Sequence, residues 1–252
     1  MNNRIKIITP FYNPGKFLER CVASLMTQNY DNYQVIFIDD CSTDGSFDRS
    51  PVGNSKAMVI RNEVRKTALE NIHDAIMNHC EEDDIVVLVD GDDSLIGKNV
   101  LTYIDEYYKK TDCWVMYGQA IWSNGQKGFA SWYTPEEFEN LRNAPFKVSH
   151  IRTFRAGVYH QIKNQDPEFT CIKDKDGNFY KSCYDVPIVF ATFELSGYDK
   201  VKYNDKALYM YNFENPISDH RVDQALQTGI HMEVSKKPRF RQIKNYKKTI
   251  IA

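Results

Sequence analysis

Short apolar runs alternate with segments of helical period along the first hundred residues. The runs RIKIITP, YQVIFID, KAMVIRN and DIVVLVD are rich in β-branched residues and have the length of buried strands. Between them, GKFLERCVASLMTQ places Phe17, Cys21 and Leu25 at helical spacing, and TALENIHDAIMNHC does the same with Leu69 and Ile76. This order of elements predicts an α/β protein, Rossmann-like, with a mostly parallel sheet flanked by helices.

The second half of the chain is less regular. TDCWVMYGQAIW is interpreted as a strand pair that extends the sheet, and FASWYTPEEFENLRNAP as an aromatic, partly irregular segment. YKSCYDVPIVFATFELSG, residues 180–197, predicts a helix with Pro187 near its beginning and Gly197 at its end.

Polar residues follow three of the predicted strands. They are Asn13, then Asp39 and Asp40, then Asp90, Asp92 and Asp93. Any one of them could simply cap a helix or shape a turn, but three strand ends that deliver acids and amides to one rim favour a ligand site. Carboxylates this close raise one another's pKa unless a cation shares the site. A hard divalent ion, Mg²⁺ or Mn²⁺, prefers such oxygen ligands and shares its other positions with phosphates.

Composition excludes several classes of protein. With 252 residues and 42% hydrophobic content, the chain can form a substantial core. No stretch approaches the roughly 20 apolar residues of a membrane span, and the start lacks a secretion signal. The six cysteines are far apart and predict free thiols in a reducing compartment, so a cytoplasmic location is expected. Without GxxxxGK[ST] or GxGxxG, a P-loop NTPase or a dinucleotide dehydrogenase is not expected.

Charge is distributed unevenly along the chain. From Lys236 onward, KKPRFRQIKNYKKTIIA holds seven Lys or Arg residues, whereas all 34 acidic residues lie before it. Two interpretations of this tail remain open, a solvated terminal segment and a peripheral contact with an anionic membrane surface. Nucleic-acid binding is not expected, because no helix-turn-helix, zinc-finger or RRM signature is present and the acidic body repels phosphate.

The motifs together resemble a known family. ITPFYNPGKFLERCVASLMTQNYDNYQVIFIDDCSTDGS, followed by VVLVDGDDSL, is similar to the nucleotide-binding half of glycosyltransferase family 2 enzymes, which have the GT-A fold. Later segments resemble a bacterial and viral branch of that family. The resemblance implies a nucleotide-sugar-binding half at 1–110, an acceptor-binding half of the same domain at 111–235, and a basic tail at 236–252.

The resemblance also implies roles for the strand-end residues. Family members hold the nucleotide with the first strand and its exit loop, contact the base through the second acid of IDD, and bind ribose and metal with a DxD-type motif. The implied nucleotide-sugar positions are Thr9, Pro10, Phe11, Asn13, Asp40, Asp90 and Asp92, and the implied metal ligands are Asp92 and Asp93. Arg65 and Lys66 are candidates for diphosphate or base contact, or else a solvated helix start. Many members place a histidine or arginine after a tyrosine-rich strand to hold the metal, a role that would fall here to His220 or Arg221.

Catalytic and acceptor residues are expected in the second half. In the family, an acid at a helix start about twelve residues before a glycine is the catalytic base, and Asp185 occupies that place; it could instead be only a helix N-cap, with Glu194 as the reserve base. SHIRTFRAGVYHQI either presents His150, Arg152 and Arg155 to the site or is a helix start capped by Ser149. Aromatic rings suit stacking on sugars, so acceptor contacts are predicted at Trp122, Trp132 and Tyr133, with core packing as the alternative.

The resemblance implies a metal-dependent glycosyltransferase. It would use Mn²⁺ or Mg²⁺ to transfer sugar from a nucleotide-diphosphate donor, with a UDP-sugar as first candidate, to an acceptor hydroxyl with inversion. Two alternatives remain open. A sugar-phosphate nucleotidyltransferase should carry a glycine- and arginine-rich loop after the first strand, which PFYNPGKF does not resemble. A non-catalytic glycan- or nucleotide-binding module would share the fold, although the intact acids argue against it.

Overall fold

The computed structural model describes residues 2–215 and 223–247. Eight strands form one mixed sheet in the order β3-β2-β1-β4-β7-β6-β8-β5. The strands are β1 (Ile5–Phe11), β2 (Tyr33–Asp39), β3 (Ala57–Arg61), β4 (Ile85–Leu88), β5 (Ser94–Leu95), β6 (Val115–Trp122), β7 (Ser149–Arg155) and β8 (Val201–Tyr211).

Helices pack against the sheet through two clusters of buried apolar side chains. They are α1 (Phe17–Met26), α2 (Ala68–His79), α3 (Val100–Thr111), α4 (Pro135–Glu139), α5 (Ala156–His160), α6 (Ile162–Gln165), α7 (Asp185–Ser196) and α8 (Gln224–Ser235). Helix α2 begins where the Thr67 hydroxyl accepts a hydrogen bond from the Glu70 amide at 3.0 Å, a typical N-cap. Helix α7 is buried from Val186 to Ser196, which explains its lack of a polar face.

The first half of the sheet confirms the α/β prediction. Strand β1 pairs in parallel with β2 and β4, and β2 pairs in parallel with β3. Strand β7 then runs antiparallel between β4 and β6, and β8 is parallel to β6. The carboxyl ends of β1, β2 and β4 therefore lie at one edge, as the strand-end acids require.

The predicted strand pair at residues 111–122 is wrong. This segment forms the single strand β6, whose partners come from residues 149–155 and 201–211. Gly118 marks a register shift in β6 rather than a turn. A Cβ there would lie 3.2 Å from the Asn204 side-chain nitrogen and 3.3 Å from its carbonyl oxygen, so glycine permits the close approach of β8.

The tail packs on the body wherever it is described. The amides of Phe240 and Ile243 donate hydrogen bonds to Glu194 and to the carbonyl of Leu195, each at 2.9 Å. The Tyr246 ring packs edge-on against Trp114. Residues 236–247 are therefore docked on the body through backbone and aromatic groups, whereas most of their Lys and Arg side chains are exposed. The solvated-tail interpretation thus holds for these charges but not for the backbone that carries them.

All six cysteines are free thiols, as predicted from their spacing. Within residues 2–215 and 223–247, none of the helices has the length and apolar character needed to cross a bilayer.

Candidate active site

A cleft of about 1530 Å³ opens over the carboxyl ends of β1, β2 and β4 and continues across β7, β6 and β8. Helix α8 and the segment before α7 form its far wall. Of the positions predicted from the sequence, those that line it are Pro10, Phe11, Asp40, Arg65, Lys66, Asp90, Asp92, Trp122, His150, Arg152 and Asp185. The cleft thus collects residues from both halves of the chain.

On the β1–β2 side, the charged groups are held in place by neighbours. Asp40 Oδ1 accepts hydrogen bonds from the Asn62 side chain and from the Lys66 amide, both at 2.8 Å. The Arg65 guanidinium lies 3.6 Å from the centroid of the Tyr12 ring. A hydrogen bond from Lys66 Nζ to Asp74, at 2.6 Å, raises the pKa of that lysine. Lys66 is therefore anchored on α2 rather than simply solvated.

Two predicted nucleotide-binding residues, Thr9 and Asn13, do not line the cleft. Thr9 is fully buried within β1. The Asn13 amide donates to the Ser42 hydroxyl at 3.0 Å, and its side-chain oxygen accepts from the Thr43 amide at 2.8 Å. With φ at +46°, Asn13 shapes the turn after β1.

The acid cluster follows β4 and has distinct buried and open members. Asp93, only 1% exposed, accepts hydrogen bonds from the Tyr209 hydroxyl and the Asn212 amide, both at 2.6 Å. Asp92 faces the cleft and accepts a hydrogen bond from the Asn215 side chain at 2.7 Å.

Asp90 lies between the cluster and the second half of the chain. Its Oδ1 accepts a hydrogen bond from the Tyr184 hydroxyl at 2.8 Å, and its Oδ2 lies 3.6 Å from His150 Nε2. Gly91 permits this arrangement, because a Cβ there would lie 2.4 Å from the Phe11 Cβ. The glycine of DGDD thus lets β1 approach the acids.

The acids carry more negative charge than their surroundings compensate. Burial, and then the charge of Asp90, raises the pKa of Asp92 to about 6. Burial and the two neighbouring acids raise the pKa of Asp93 well above its usual range. Burial acts in the same direction on Asp90, but the hydrogen bond and charge of His150 and the charge of Arg152 outweigh it and lower the pKa of Asp90. A cation would stabilise the cluster.

The ligand atoms suit a divalent ion. One atom each from Asp90, Asp93 and His150 lies within 4.8 Å of the others. Carboxylate oxygens with one imidazole suit Mn²⁺, and the oxygens alone suit Mg²⁺. This set differs from the predicted Asp92, Asp93 and His220. His150, predicted as an acceptor contact, lies at the acids, and His220 and Arg221 are outside the described residues.

Asp185 is the first residue of α7 and faces the cleft. Its Oδ2 accepts a hydrogen bond from Arg152 Nη2 at 2.9 Å, and α7 has no side-chain cap. The N-cap interpretation is therefore wrong. Glu194 is also wrong as a reserve base, because it lies on the buried side of α7 in a two-point pair with Arg142, at 2.7 and 2.8 Å.

The predicted aromatic and basic acceptor residues divide between cleft, core and surface. Trp122 lines the cleft, whereas Tyr133 is buried in the core and Trp132 is 61% exposed outside the cleft. Arg155 lies away from the site, where it donates to the Asn3 side chain and the Asp83 carbonyl. The segment from Ser149 is strand β7 rather than a capped helix start, and Arg155, its last residue, lies at the end remote from the cleft.

Several cleft residues were not predicted from the sequence. They include Tyr12, Phe129, Phe146, Tyr184, Tyr211, Phe213, Gln227 and His231. Tyr184 directly precedes the candidate base Asp185, and this position could have identified it as a cleft residue. No feature of the sequence predicted that residues of α8 line the cleft, because their approach to the cleft depends on long-range packing.

Comparison with known proteins identifies relatives over part of the chain. Glycosyltransferase GlyG of Streptococcus pneumoniae serotype 4 is 27% identical over 121 residues, which are 47% of this chain and 39% of GlyG. Glycosyltransferase GlyA of the same organism is 37% identical over 46 residues, 18% of this chain and 7% of GlyA. The chain thus matches well under half the length of these relatives.

Solved structures share the fold over most of the chain. TarS 1-349 of S. aureus in complex with UDP-GlcNAc superimposes with a TM-score of 0.65 and 18% identity, covering 92% of this chain and 64% of that one. Mannosyltransferase PcManGT of Pyrobaculum calidifontis, in complex with GDP-Man and Mn²⁺, gives a TM-score of 0.54 and 14% identity, covering 83% and 57%. These similarities confirm the predicted GT-A fold. The model of the family Glycosyl transferase family 2 matches residues 6–163, and the chain therefore belongs to that family.

Proposed function

We propose that this protein is an inverting glycosyltransferase that transfers a sugar from a nucleotide-diphosphate donor to an acceptor hydroxyl. The observation that carries the proposal is the position of Asp185. Its carboxylate, oriented by Arg152 at 2.9 Å, lines the same cleft as Asp90 and Asp92. The candidate base and the candidate diphosphate site thus lie in the same cleft.

The donor occupies the half of the cleft built by residues 1–110. Asp40 contacts the base, and Arg65 and Lys66 lie where they can meet the diphosphate. The UDP-GlcNAc complex of TarS and the GDP-Man complex of PcManGT support a nucleotide-sugar donor, and UDP is the first nucleotide to test. Residues 111–235 supply the acceptor side.

A divalent ion belongs with the acid cluster in this proposal. Asp90 and Asp92 at the open side, with Asp93 and His150 behind, are the residues that would hold it. When bound, Mn²⁺ or Mg²⁺ supplies Lewis-acid stabilisation of the departing nucleoside diphosphate. The raised pKa values of Asp92 and Asp93 support a cation here, since both carboxylates lack enough positive partners.

Asp185 acts as general base. It takes the proton of the acceptor hydroxyl while that oxygen attacks the anomeric carbon from the face opposite the departing diphosphate. The glycosidic bond forms as the bond to the diphosphate breaks, and this single displacement inverts the anomeric centre. Such a base contributes roughly 10²- to 10⁴-fold to the rate.

A donor panel tests the proposal. Purified protein is incubated with UDP-, GDP- and dTDP-sugars and Mn²⁺, with and without mixed saccharide acceptors, and release of nucleoside diphosphate is measured. Acceptor-stimulated release from one donor supports the proposal. Tight nucleotide binding without release from any donor would instead favour a non-catalytic binding module.

A further inference from the structure

A row of aromatic side chains runs along the cleft away from the acid cluster. The aromatic strip consists of Tyr211, Trp122, Phe213 and Phe129, all of which line the cleft. The Tyr211 ring stacks on His150, which lies beside Asp90, with ring centroids 5.5 Å apart. Its centroid lies 6.3 Å from that of Trp122, and these two rings are tilted by 52°. The Trp122 and Phe213 rings are parallel within 6° at 5.1 Å. Three rings of the strip thus lead from His150 through Tyr211 and Trp122 to Phe213, and Phe129 lines the same cleft.

Backbone pairing holds the strip in place. Trp122 is the register partner of Tyr211 across β6 and β8, so their side chains lie next to each other. The Ser123 amide donates to the Tyr211 carbonyl at 2.8 Å, and the Ser123 hydroxyl accepts from the Phe213 amide at 3.1 Å. The rings are thus presented from the ends of two paired strands, as a preformed binding surface requires.

Sheet order separates the strip from the nucleotide side. The residues proposed to meet the nucleotide follow β1, β2 and β3, on one side of β4 and its acids. The strip is carried by β6, β8 and the residues that follow them, on the other side of β4. A donor placed over β1 and β2 leaves the strip to the molecule that enters from the opposite side.

The exposure of the strip indicates what it binds. Phe129 is 61% exposed although it lines a cleft, and Trp122 and Phe213 are only partly buried. Flat apolar faces in a polar cleft suit the C–H faces of sugar rings, whose hydroxyls then reach the surrounding polar groups. Successive ring centroids 5.1 to 6.3 Å apart also suit a chain of linked rings better than one small alcohol.

We propose that the aromatic strip is an extended acceptor subsite that binds a glycan chain at rings beyond the one that receives the sugar. The inference rests on the proposed function and adds to it the class of acceptor, an oligosaccharide or polysaccharide.

A glycan array tests the inference. The protein, with UDP and Mn²⁺ present, is applied to immobilised monosaccharides and oligosaccharides of increasing length. We expect stronger binding to oligosaccharides than to their monosaccharide units, and a loss of about tenfold in Trp122→Ala and in Phe129→Ser. Trp122→Phe should retain most of the binding. Trp132→Ala is the control, because Trp132 is as exposed as Phe129, at 61%, but lies outside the cleft.

Calorimetric nucleotide binding checks that each variant is folded. Equal binding of monosaccharides and oligosaccharides, or unchanged binding in Trp122→Ala and Phe129→Ser, would overturn the inference. So would a wild-type protein that binds nucleotide but no saccharide on the array. Glycan binding through the strip, combined with no turnover of any donor, would leave the inference standing while the proposed function failed.

Discussion

Arg152 donates a hydrogen bond from Nη2 to Oδ2 of Asp185 at 2.9 Å and so joins β7 to the first turn of α7. The arginine is 8% exposed, and its Nη1 also donates to the Tyr184 hydroxyl at 3.3 Å. Burial opposes its charge, but Asp185, Tyr184 and Asp90 more than offset this and raise the pKa of Arg152. A permanent cation therefore lies between the candidate base and the acid cluster.

The first prediction concerns the coupling of this pair. Arg152→Met should lower the free energy of unfolding by about 3 kcal/mol, because it leaves carboxylates without their cation. Asp185→Asn alone should change it by less than about 1 kcal/mol, because Asp185 is partly exposed and Arg152 keeps Asp90 and the Tyr184 hydroxyl beside it. Urea unfolding of the double variant measures the coupling of the two substitutions. The loss of unfolding free energy should be smaller than the sum of the losses in the two single variants, by more than about 0.5 kcal/mol. Strict additivity would mean that the ion pair contributes nothing.

The second prediction concerns chemistry at Asp185. Asp185→Asn keeps the size of the side chain but removes its basicity, so turnover should fall at least about a hundredfold. Nucleotide-sugar affinity should hardly change, because the residues proposed to hold the donor follow the strands β1 to β4 instead. Asp112→Asn is the control, since that carboxylate is exposed and paired only with Lys200 among the described residues. Normal turnover in Asp185→Asn would remove its role as base.

The third prediction concerns the divalent ion. EDTA should weaken nucleotide-sugar binding severely in calorimetric titrations, and Mn²⁺ should restore it. Asp92→Asn should weaken binding at least about tenfold, since it removes an open carboxylate from the cluster. The exposed Asp31→Asn serves as control. Affinity that is the same in EDTA would contradict metal dependence.

The fourth prediction concerns Glu194. Glu194→Gln should lower the free energy of unfolding by about 3 kcal/mol, because it leaves the buried Arg142 without its counter-charge. Arg239→Gln should cost under about 1 kcal/mol, since the Arg239 side chain is half exposed and Glu194 keeps its pair with Arg142. Turnover per folded Glu194→Gln molecule should stay within a few-fold of wild type. A loss comparable with that of Asp185→Asn would restore Glu194 as a candidate base.

The fifth prediction concerns membrane contact. We expect sedimentation with phosphatidylglycerol vesicles at low ionic strength, and loss of binding in the triple variant Lys236→Gln, Arg241→Gln and Lys244→Gln. These side chains are exposed, and each contributes about 1 kcal/mol near an anionic surface. Unlike truncation of the tail, the triple variant retains the packing of Phe240 and Tyr246. Equal sedimentation of the two proteins would contradict a lipid role for these charges.

Local signals explain which features could be predicted from the sequence. Apolar runs that are followed by acids or an amide predicted β1, β2 and β4 and the cleft that Asp40, Asp90 and Asp92 line. Helix boundaries at Pro187 and Gly197 likewise predicted α7 and the place of Asp185.

Features that depend on distant partners could not be predicted in this way. Glu194 resembled a reserve base until its partner Arg142, 52 residues away, was known. The sequence does not show which of Arg152 and Arg155 faces the site, because their segment is also compatible with a helix start. Only the formation of strand β7 distinguishes the two positions. The partners of β6 come from two later segments, and nothing within residues 115–122 specifies either.

The pairing of β5 with β8 has a consequence for synthesis of the chain. Ser94 and Leu95 meet Met210 and Tyr209, more than one hundred residues later. During translation, the strands β1 to β4 can associate early, but β5 can pair with β8 only after residue 211 has left the ribosome. Until then the apolar edge near Leu95 has no strand partner. The nascent protein thus passes through a stage in which β5 lacks its strand partner and this part of the sheet is open to pairing with other chains.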